Sequence, residues 1–325
     1  MDKRIYGVLG ISSIMGNWNA DFTGYPKTTS DGIVFGSDKA LKYPMKKMWE
    51  NNGEKVLYIK SMRISNEKKG EIQVVPRNLK ERYEYIFNTE NLKYCKDTKE
   101  ILTNLFKTID VKNFGATFAE EGKNISITGA VQIGQGFNKY IGTYSETQQI
   151  LSPFRDDSKA QKEAKKKKNE NWEEEEDAKN STLGNKIVSN EAHYFYPFTI
   201  NPLAYKEFVE LGVTDGYTEE DYKKFKKTSL VSATSFATNS KIGCENEFGL
   251  FVETDEDLYL PNLSEYISFN KGESKNTIEL NCSDLINSVV DKVKAIEIYY
   301  NPYTTEIKSD IKGAKIYNIF TQEEV

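Results

Sequence analysis

The stretch RIYGVLGISSIM, Arg4–Met15, decides the fold class. Val, Ile and Leu dominate it and no charge follows Arg4, so it reads as a buried strand. The run NWNADFTGYPKTTSDG (17–32) comes next, and its Gly, Asn, Asp and Pro content is that of a loop. A helix is predicted over GSDKALKYPMKKMWEN (36–51), with Ser37 or Asp38 as N-cap, because short side-chain oxygens accept from the free N–H groups of a first turn. Pro44 lies inside that pattern and marks a kink or a later helix start. EKVLYIKSMRI (54–64) is predicted as the next strand.

Working outward, residues Asn66 to Thr108 read as helical and charged. LKERYEYIF (79–87) and TKEILTNLFKTI (98–109) carry apolar residues at three-to-four spacing, as an insertion in the sheet domain would. Two strands of a hairpin flank the turn Glu120–Asn124 within DVKNFGATFAEEGKNISITGAVQIGQGFNKY (110–140). Ser158 to Lys179 is low-complexity, a basic block followed by an acidic one, and reads as a solvated loop or single helix. The aromatic strand HYFYPFTI (193–200) follows. Helices are expected at Leu203–Leu211, Glu219–Thr238 and Asp284–Lys292, and strands at NEFGLFVET (246–254) and AIEIYYN (295–301). Strands and hairpins mixed with helices predict an α+β sheet with helices on one face, such as a ferredoxin-like or RNA-recognition-type core with insertions.

The chain has 325 residues, enough for one large domain with insertions or for two. No apolar stretch approaches the roughly 20 residues of a membrane helix, and the N-terminus does not read as a signal peptide. Cys95, Cys244 and Cys282 are odd in number and far apart, which supports neither a zinc ribbon nor a disulfide framework, and the cytoplasm is the expected compartment. The formal net charge of −5 by itself speaks against a nucleic-acid binder. The distribution tells more: Lys39, Lys42, Lys46, Lys47, Lys55 and Lys60 outnumber Asp38, Glu50 and Glu54, whereas the last third from Glu245 onward is acidic. Such separation offers one face to RNA and another to a protein neighbour.

Catalytic signals are weak. His193 is the one histidine, sits in a predicted strand and has no nucleophile motif beside it. P-loop, HExxH and EF-hand patterns do not occur. Asp21, Asp31 and Asp38 lie in or beside the loop and could hold magnesium, but turn and cap roles suit them better. Binding signals are physically reasonable, but taken singly each is matched by a plain reading, a solvated lysine face and a Gly-bulged strand. Lys39, Lys42 and Lys46 share one helix face, at a helix start that itself offers free N–H groups to an anion. In GAVQIGQGFNKY (129–140), Gln132, Gln135 and Asn138 can exchange hydrogen bonds, while Phe137 and Tyr140 can stack.

Six segments in order resemble the CRISPR-associated Cas-seven family, the Cascade backbone subunits, and within it the type I-B (Csh-type) members. They are NADFTGYP with GSDKALKYPMKKMW; DVKNFGATFA with TGAVQIGQG; ILSPFR with STLGNK; HYFYPF; SATSFATNSKIG; and ENEFGLFVE. The resemblance implies a modified RNA-recognition-motif (ferredoxin-like) palm with a helical fingers insertion and a protruding thumb loop. The palm would take residues 1–62, 109–140 and 187–325, the fingers 63–108 and the thumb 141–186. NKIV in place of a more basic ending, Leu183 in place of Met, and the long tract Lys159–Asp177 depart from the family pattern.

Function follows from the resemblance as an expectation: a non-catalytic subunit that binds CRISPR RNA without sequence preference and stacks head-to-tail along it. The partners would be the guide, the target DNA strand through the guide, further copies, and the guide-end cap, large and small Cascade subunits. No membrane, metal or cofactor is implied. Asn17, Trp18 and Asn19 with Lys39, Lys42 and Lys46 would hold guide phosphates. Gln132, Gln135, Phe137, Asn138 and Lys139 would line the same groove, with Ser240 and Lys241 at a neighbouring turn. On the thumb, Ile150, Leu151 and Phe154 would wedge against RNA, with Arg155 and Lys186 touching RNA or the next copy. The alternatives are a metal-dependent target-RNA endonuclease of the type III backbone kind, using Asp21, Asp31 or Asp38, and a guide-processing enzyme using His193.

Overall fold

A computed structural model describes residues 1–68, 71–95, 97–155 and 181–325. The first strand, β1 (Arg4–Gly16), is buried along nearly its whole length. Its side chains divide between two cores. Ile5, Leu9 and Ile11 join Leu41, Met45 and Trp49 of helix α1 (Asp38–Asn51) on one face. Tyr6 and Val8 join Leu263, Ile267 and Ile278 on the other. A strand covered on both faces has no polar alternation, which is why Arg4–Met15 reads as an unbroken apolar run. Gly7 makes the crowding possible, since a Cβ there would lie 2.2 Å from the Leu250 carbonyl oxygen and 2.4 Å from the Phe198 ring.

After β1 come β2 (Phe35–Gly36), α1, and a hairpin of β3 (Met62–Lys68) and β4 (Glu71–Pro76). Helices α2 (Leu79–Phe87), α3 (Thr98–Phe106) and α4 (Ile109–Phe114) lead to the hairpin of β5 (Gly115–Glu120) and β6 (Lys123–Thr128). Short strands β7 (Val131–Ile133) and β8 (Gly136–Asn138) precede β9 (Ser145–Arg155) and the 20-residue β10 (Ser181–Ile200). Helices at Lys206–Glu210 and Glu219–Ser229 lead to β11 (Cys244–Thr254), then β12 (Ile267–Asn270), β13 (Asn276–Leu280), β14 (Val293–Tyr300), β15 (Thr305–Ser309) and β16 (Lys315–Asn318).

Among the described residues the main sheet has nine strands, ordered β16-β14-β11-β1-β10-β8-β2, with β7 and β9 also paired to β10. Strand β1 runs antiparallel to both β10 and β11. The inner order β11-β1-β10-β8, with α1 and Glu219–Ser229 on the two crossovers, is compatible with an RNA-recognition-type core. The face opposite the helices is covered by the three-stranded sheet β12-β13-β15. Aromatics of β10 therefore lie inside the molecule: Phe195 under that second sheet, Tyr194, Tyr196 and Phe198 under the helices.

Several expectations change. Residues 54–61 form no regular element, and the strand starts at Met62. The buried Asp110 carboxylate accepts the N–H groups of Leu57 and Tyr58, both at 2.8 Å, and so takes donors that a ladder would need. The insertion predicted as helical opens with the hairpin β3–β4, where Met62 and Ile64 alternate with Arg63 and Ser65 in the period of a strand. The helices expected at 79–87 and 98–109 are present as α2 and α3, the latter ending at Phe106, whereas α4 was not expected and the helix expected at 219–238 stops at Ser229.

The outer half of β10 leaves the sheet and pairs with β9 from Ser181↔Arg155 to Ser189↔Ser145, forming a two-stranded ribbon. Leu151, Phe154 and Arg155 belong to β9, where Ile150 is half exposed and Lys186 faces Gln148 across the ladder. The tract Lys159–Asp177 lies outside the described residues.

Candidate functional site

The site starts where β1 ends. The loop predicted at 17–32 is a small ordered meander. Lys27 donates its N–H to the Asn19 carbonyl and Phe35 donates to the Lys27 carbonyl, both at 2.9 Å. Isolated bridges Ala20↔Pro26 and Thr28↔Val34 accompany them. The meander hands over to β2, which pairs with β8 through Phe35↔Phe137 and Gly36↔Gly136. Glycine is required at position 36, since a Cβ there would lie 1.8 Å from the Tyr196 hydroxyl.

Helix α1 follows at once. Ser37 is its N-cap, and its hydroxyl accepts from the Ala40 N–H at 3.3 Å. The Ser37 N–H is in turn held by the Asn19 side-chain oxygen at 2.8 Å, so the meander fixes where the helix begins. Around this start lies an open cleft of about 500 Å³, lined by Lys27, Thr29, Phe35, Ser37, Asp38, Lys39, Gln135 and Phe137. The Phe35 and Phe137 rings are 6.1 Å apart, and Phe137 is 38 % exposed. Two lysines, a helix start, an amide and an exposed ring at one cleft suit a phosphate with a base beside it.

The three helix lysines, which share a face in the sequence, have three fates. Lys39 is exposed at the cleft. Lys42 pairs with Asp38 at 2.8 Å, one turn back. Lys46 turns inward: its Nζ is 3.8 Å from Asp110 and 3.4 Å from the Tyr58 carbonyl, between the Tyr58 and Phe114 rings. Burial lowers its pKa against the pull of Asp110. Lys46 therefore serves the interior, because a buried carboxylate lies within reach of its stem.

A second group forms an internal brace. Trp18 is 1 % exposed and donates its indole N–H to the Tyr196 hydroxyl at 2.5 Å, so its side chain belongs to the core. The Asn17 amide donates to the carbonyls of Gly24 (2.9 Å) and Ile187 (3.1 Å), and its backbone N–H donates to the Ser240 carbonyl (2.8 Å). Lys241 donates to the Asn17 carbonyl at 2.7 Å and to that of Trp18, over the Trp18 ring, with its pKa lowered by burial. The backbone of Asn17 and Trp18 is thus tied to that of Ser240 and to the Lys241 ammonium, which joins the end of β1 to the turn before β11; Ser240 itself is exposed.

Asn138 is a cross-link at the root of the ribbon. Its oxygen accepts from the N–H groups of His193 (2.8 Å) and Tyr140 (3.1 Å), and its amide donates to the Tyr140 carbonyl and the Thr143 hydroxyl, both at 2.8 Å. Lys139 donates its backbone N–H to the His193 carbonyl at 2.9 Å. Gln132 is parted from Gln135: it lines a separate, more apolar cleft of about 400 Å³ with Tyr6, Pro197, Phe198, Leu260 and Leu263.

His193 is sealed. Its Nδ1 is 2.8 Å from Glu247, its Nε2 is 3.0 Å from Glu191, and its ring stacks on Phe269 at 3.7 Å. Burial works against its charge, but the carboxylates of Glu247 and Glu191 outweigh burial and raise its pKa. Both ring nitrogens are thus occupied by carboxylates inside the protein rather than turned to an open site. Of the loop carboxylates, Asp38 is held by Lys42 and Asp21 by its own turn, while Asp31 is exposed. Asp21 accepts from the Thr23 hydroxyl (2.7 Å) and N–H (2.8 Å) and from the Tyr25 N–H (3.1 Å), bonds that lower its pKa despite slight desolvation. Among the described residues, no group of three or more His, Cys, Asp or Glu side chains is placed to hold a metal ion.

Lys27, Thr29 and Phe35 are cleft residues that sequence reasoning missed. Their signal was the position of Lys27 and Thr29 in a turn-rich stretch and of Phe35 before Gly36, but only the β2–β8 pairing brings them to Gln135 and Phe137. A larger cleft of about 610 Å³ lies between α3, α4 and Glu219–Ser229, with its Lys112 and Lys224 already paired to Asp221 and Glu54 at 2.9 Å and 2.6 Å.

A family model described as CRISPR-associated protein Cas7 matches residues 3–289. A solved chain described as "CRISPR RNA-guided surveillance complex, pre-nicking" has the same fold, with a TM-score of 0.55 at 13 % identity over 97 % of this chain and 96 % of that one. Another, "CRISPR RNA-guided surveillance complex", gives a TM-score of 0.49 at 14 % identity over 95 % and 94 % of the two chains. No curated protein matches this chain.

Proposed function

The chain belongs to the CRISPR-associated Cas7 family, and from that premise we propose that it is a non-catalytic, guide-RNA-binding backbone subunit of a CRISPR interference complex. The observation that carries this reading is the cleft at the start of α1, where Lys27, Lys39, Gln135 and Phe137 meet. It offers cationic charge and a ring face, the groups that meet a backbone phosphate and any base. A subunit built this way holds any guide by its backbone and leaves specificity to base pairing. The finer reading is type I, of the I-B (Csh-type) subgroup, acting in the cytoplasm with a guide-end cap and with large and small subunits as partners.

In this reading the palm is the main sheet with α1 and the C-terminal layer, the fingers are β3 to α3, and the thumb is the β9–β10 ribbon. Copies stack head-to-tail, a heterologous contact that builds an open filament. Ile150, Leu151, Phe154, Arg155 and Lys186 would meet RNA or the next copy. Lys27 and Lys39 would hold phosphates, with Lys42 joining when it leaves Asp38.

The test is size-exclusion chromatography with light scattering, with and without RNA containing a CRISPR repeat, at low salt. Particles that grow with RNA length at a fixed number of nucleotides per subunit support the reading. A complex that stops at one or two subunits contradicts it. RNA shortened in a magnesium-dependent manner moves the assignment to the target-RNA endonuclease.

A further inference from the structure

We propose that Asp38 lets the cleft at the start of α1 tell RNA from DNA, its carboxylate accepting the 2′-hydroxyl of a ribose whose phosphate lies on Lys27 and Lys39. The proposal rests on the RNA-binding reading above and deepens it to the sugar.

The cleft is lined by donors and by one carboxylate. The side chains of Lys27, Lys39 and Gln135 have no hydrogen-bond or ion-pair partner among the described residues. The Thr29 hydroxyl accepts from the Ile33 N–H at 3.1 Å, and the Ser37 hydroxyl accepts from the Ala40 N–H at 3.3 Å. Each therefore keeps its own proton to donate. Cations, hydroxyl donors and a helix start all suit a phosphate. Asp38 is the exception, and it lines the same cleft with its side chain 26 % exposed. Lys42 takes its Oδ2 at 2.8 Å, while its Oδ1 has no partner among the described residues.

A carboxylate in a first turn stabilises its helix, and Lys42 one turn on offsets its charge. Both roles leave Oδ1 over. Beside a bare phosphate that oxygen is repelled, against the attraction of the two lysines. A ligand with a hydroxyl donor next to its phosphate turns the repulsion into a bond. Ribose phosphate is such a ligand, since the 2′-hydroxyl sits on the carbon adjoining the one that bears the 3′-phosphate. Deoxyribose offers the phosphate without the donor, and this hydroxyl is what separates RNA from DNA at a protein site. Phe137, in the same cleft, takes the face of any base, so the sugar is selected and the sequence is not.

The experiment is fluorescence anisotropy of the full chain in EDTA with three short oligonucleotides of one sequence, each sized for one copy of the chain: RNA, 2′-fluoro RNA and DNA. The 2′-fluoro strand keeps the ribose pucker and lacks the donor. Wild type should bind RNA about tenfold more tightly than either of the others. Asp38→Ala should bring the ratio of RNA to 2′-fluoro affinity to about one. That variant also frees Lys42, which shifts all three affinities together and leaves the ratio as the readout. Lys42→Ala, which keeps the carboxylate, should keep the ratio. If wild type binds RNA and the 2′-fluoro strand equally, or if Asp38→Ala retains the preference, the sugar-reading role is overturned and the RNA-binding reading stands. If the preference appears only when magnesium is added, a bridging cation occupies the carboxylate and the proposal is again overturned. If wild type binds none of the three strands, both fall together.

Discussion

His193 Nδ1 stands 2.8 Å from Glu247 Oε2, and this contact joins β10 to β11 across β1. Its other nitrogen meets Glu191, which also takes Lys271 at 2.6 Å, so the cluster reaches into the C-terminal layer.

Stability should depend on this imidazole in a defined pH window. The fold raises the His193 pKa above its ordinary 6.5, so the native state holds the proton more tightly than the unfolded chain. The contribution is fully present below about pH 6.5 and is lost as pH rises through the raised native value. His193→Gln should cost on the order of 3 kcal/mol at pH 6. Urea midpoints at pH 6 and pH 9 check this: wild type should lose stability over that range, and the variant should lack this loss. Bound guide RNA should stay intact with either protein, whereas loss of processing in the variant would restore a catalytic histidine.

Lys39 and Lys46 should separate binding from folding. Lys39→Ala should weaken RNA binding and reduce the slope of log affinity against log salt by about 0.7, the value for one phosphate of a single strand. Lys46→Ala should leave that slope unchanged and cost about 1–3 kcal/mol, because it strips the buried Asp110 of its cation. Fluorescence anisotropy at several salt concentrations, with a denaturant titration, distinguishes the two. Equal salt slopes for wild type and Lys39→Ala would remove the cleft from the binding surface.

The crossing of β2 over Tyr196 gives a packing prediction. Gly36→Ala forces a methyl group onto the Tyr196 hydroxyl and should cost about 1–3 kcal/mol. Tyr196→Phe alone leaves the Trp18 indole N–H without its acceptor and should cost about 1–3 kcal/mol. The double variant should cost less than the sum of the two, since removing the hydroxyl relieves the closest contact and leaves only that with the Trp18 ring at 2.8 Å. A double-mutant cycle by thermal unfolding measures this, and strict additivity would contradict it.

Much of the fold was legible where one physical signal acted alone. β1 was readable because burial on both faces leaves an unbroken apolar run. The N-cap Ser37 and the hairpin β5–β6 carried local chemistry. What failed was decided at a distance. Residues 54–61 look like a strand until Asp110, more than fifty positions on, takes their N–H groups. Lys46 looks like its neighbour Lys39 until the same carboxylate turns it inward. Trp18 and Lys241 look like surface groups in a polar loop, and only their contact across the chain shows that they brace the end of β1. Of the cleft, Lys39, Gln135 and Phe137 were found from sequence, while Lys27 and Thr29 of the meander and Phe35 of β2 were not.

Strand β10 runs unbroken from the ribbon into the sheet, 20 residues or about 65 Å of continuous chain. A joint between arm and body would let the arm swing. A single beam clamped along half its length behaves as a lever instead. Force applied to the ribbon becomes torque on the ladder with β1, which resists it through hydrogen bonds from Ile5↔Ile200 to Gly16↔Ser189. The direction in which the arm points is therefore set by the twist of the sheet, and every copy of the chain inherits the same bearing.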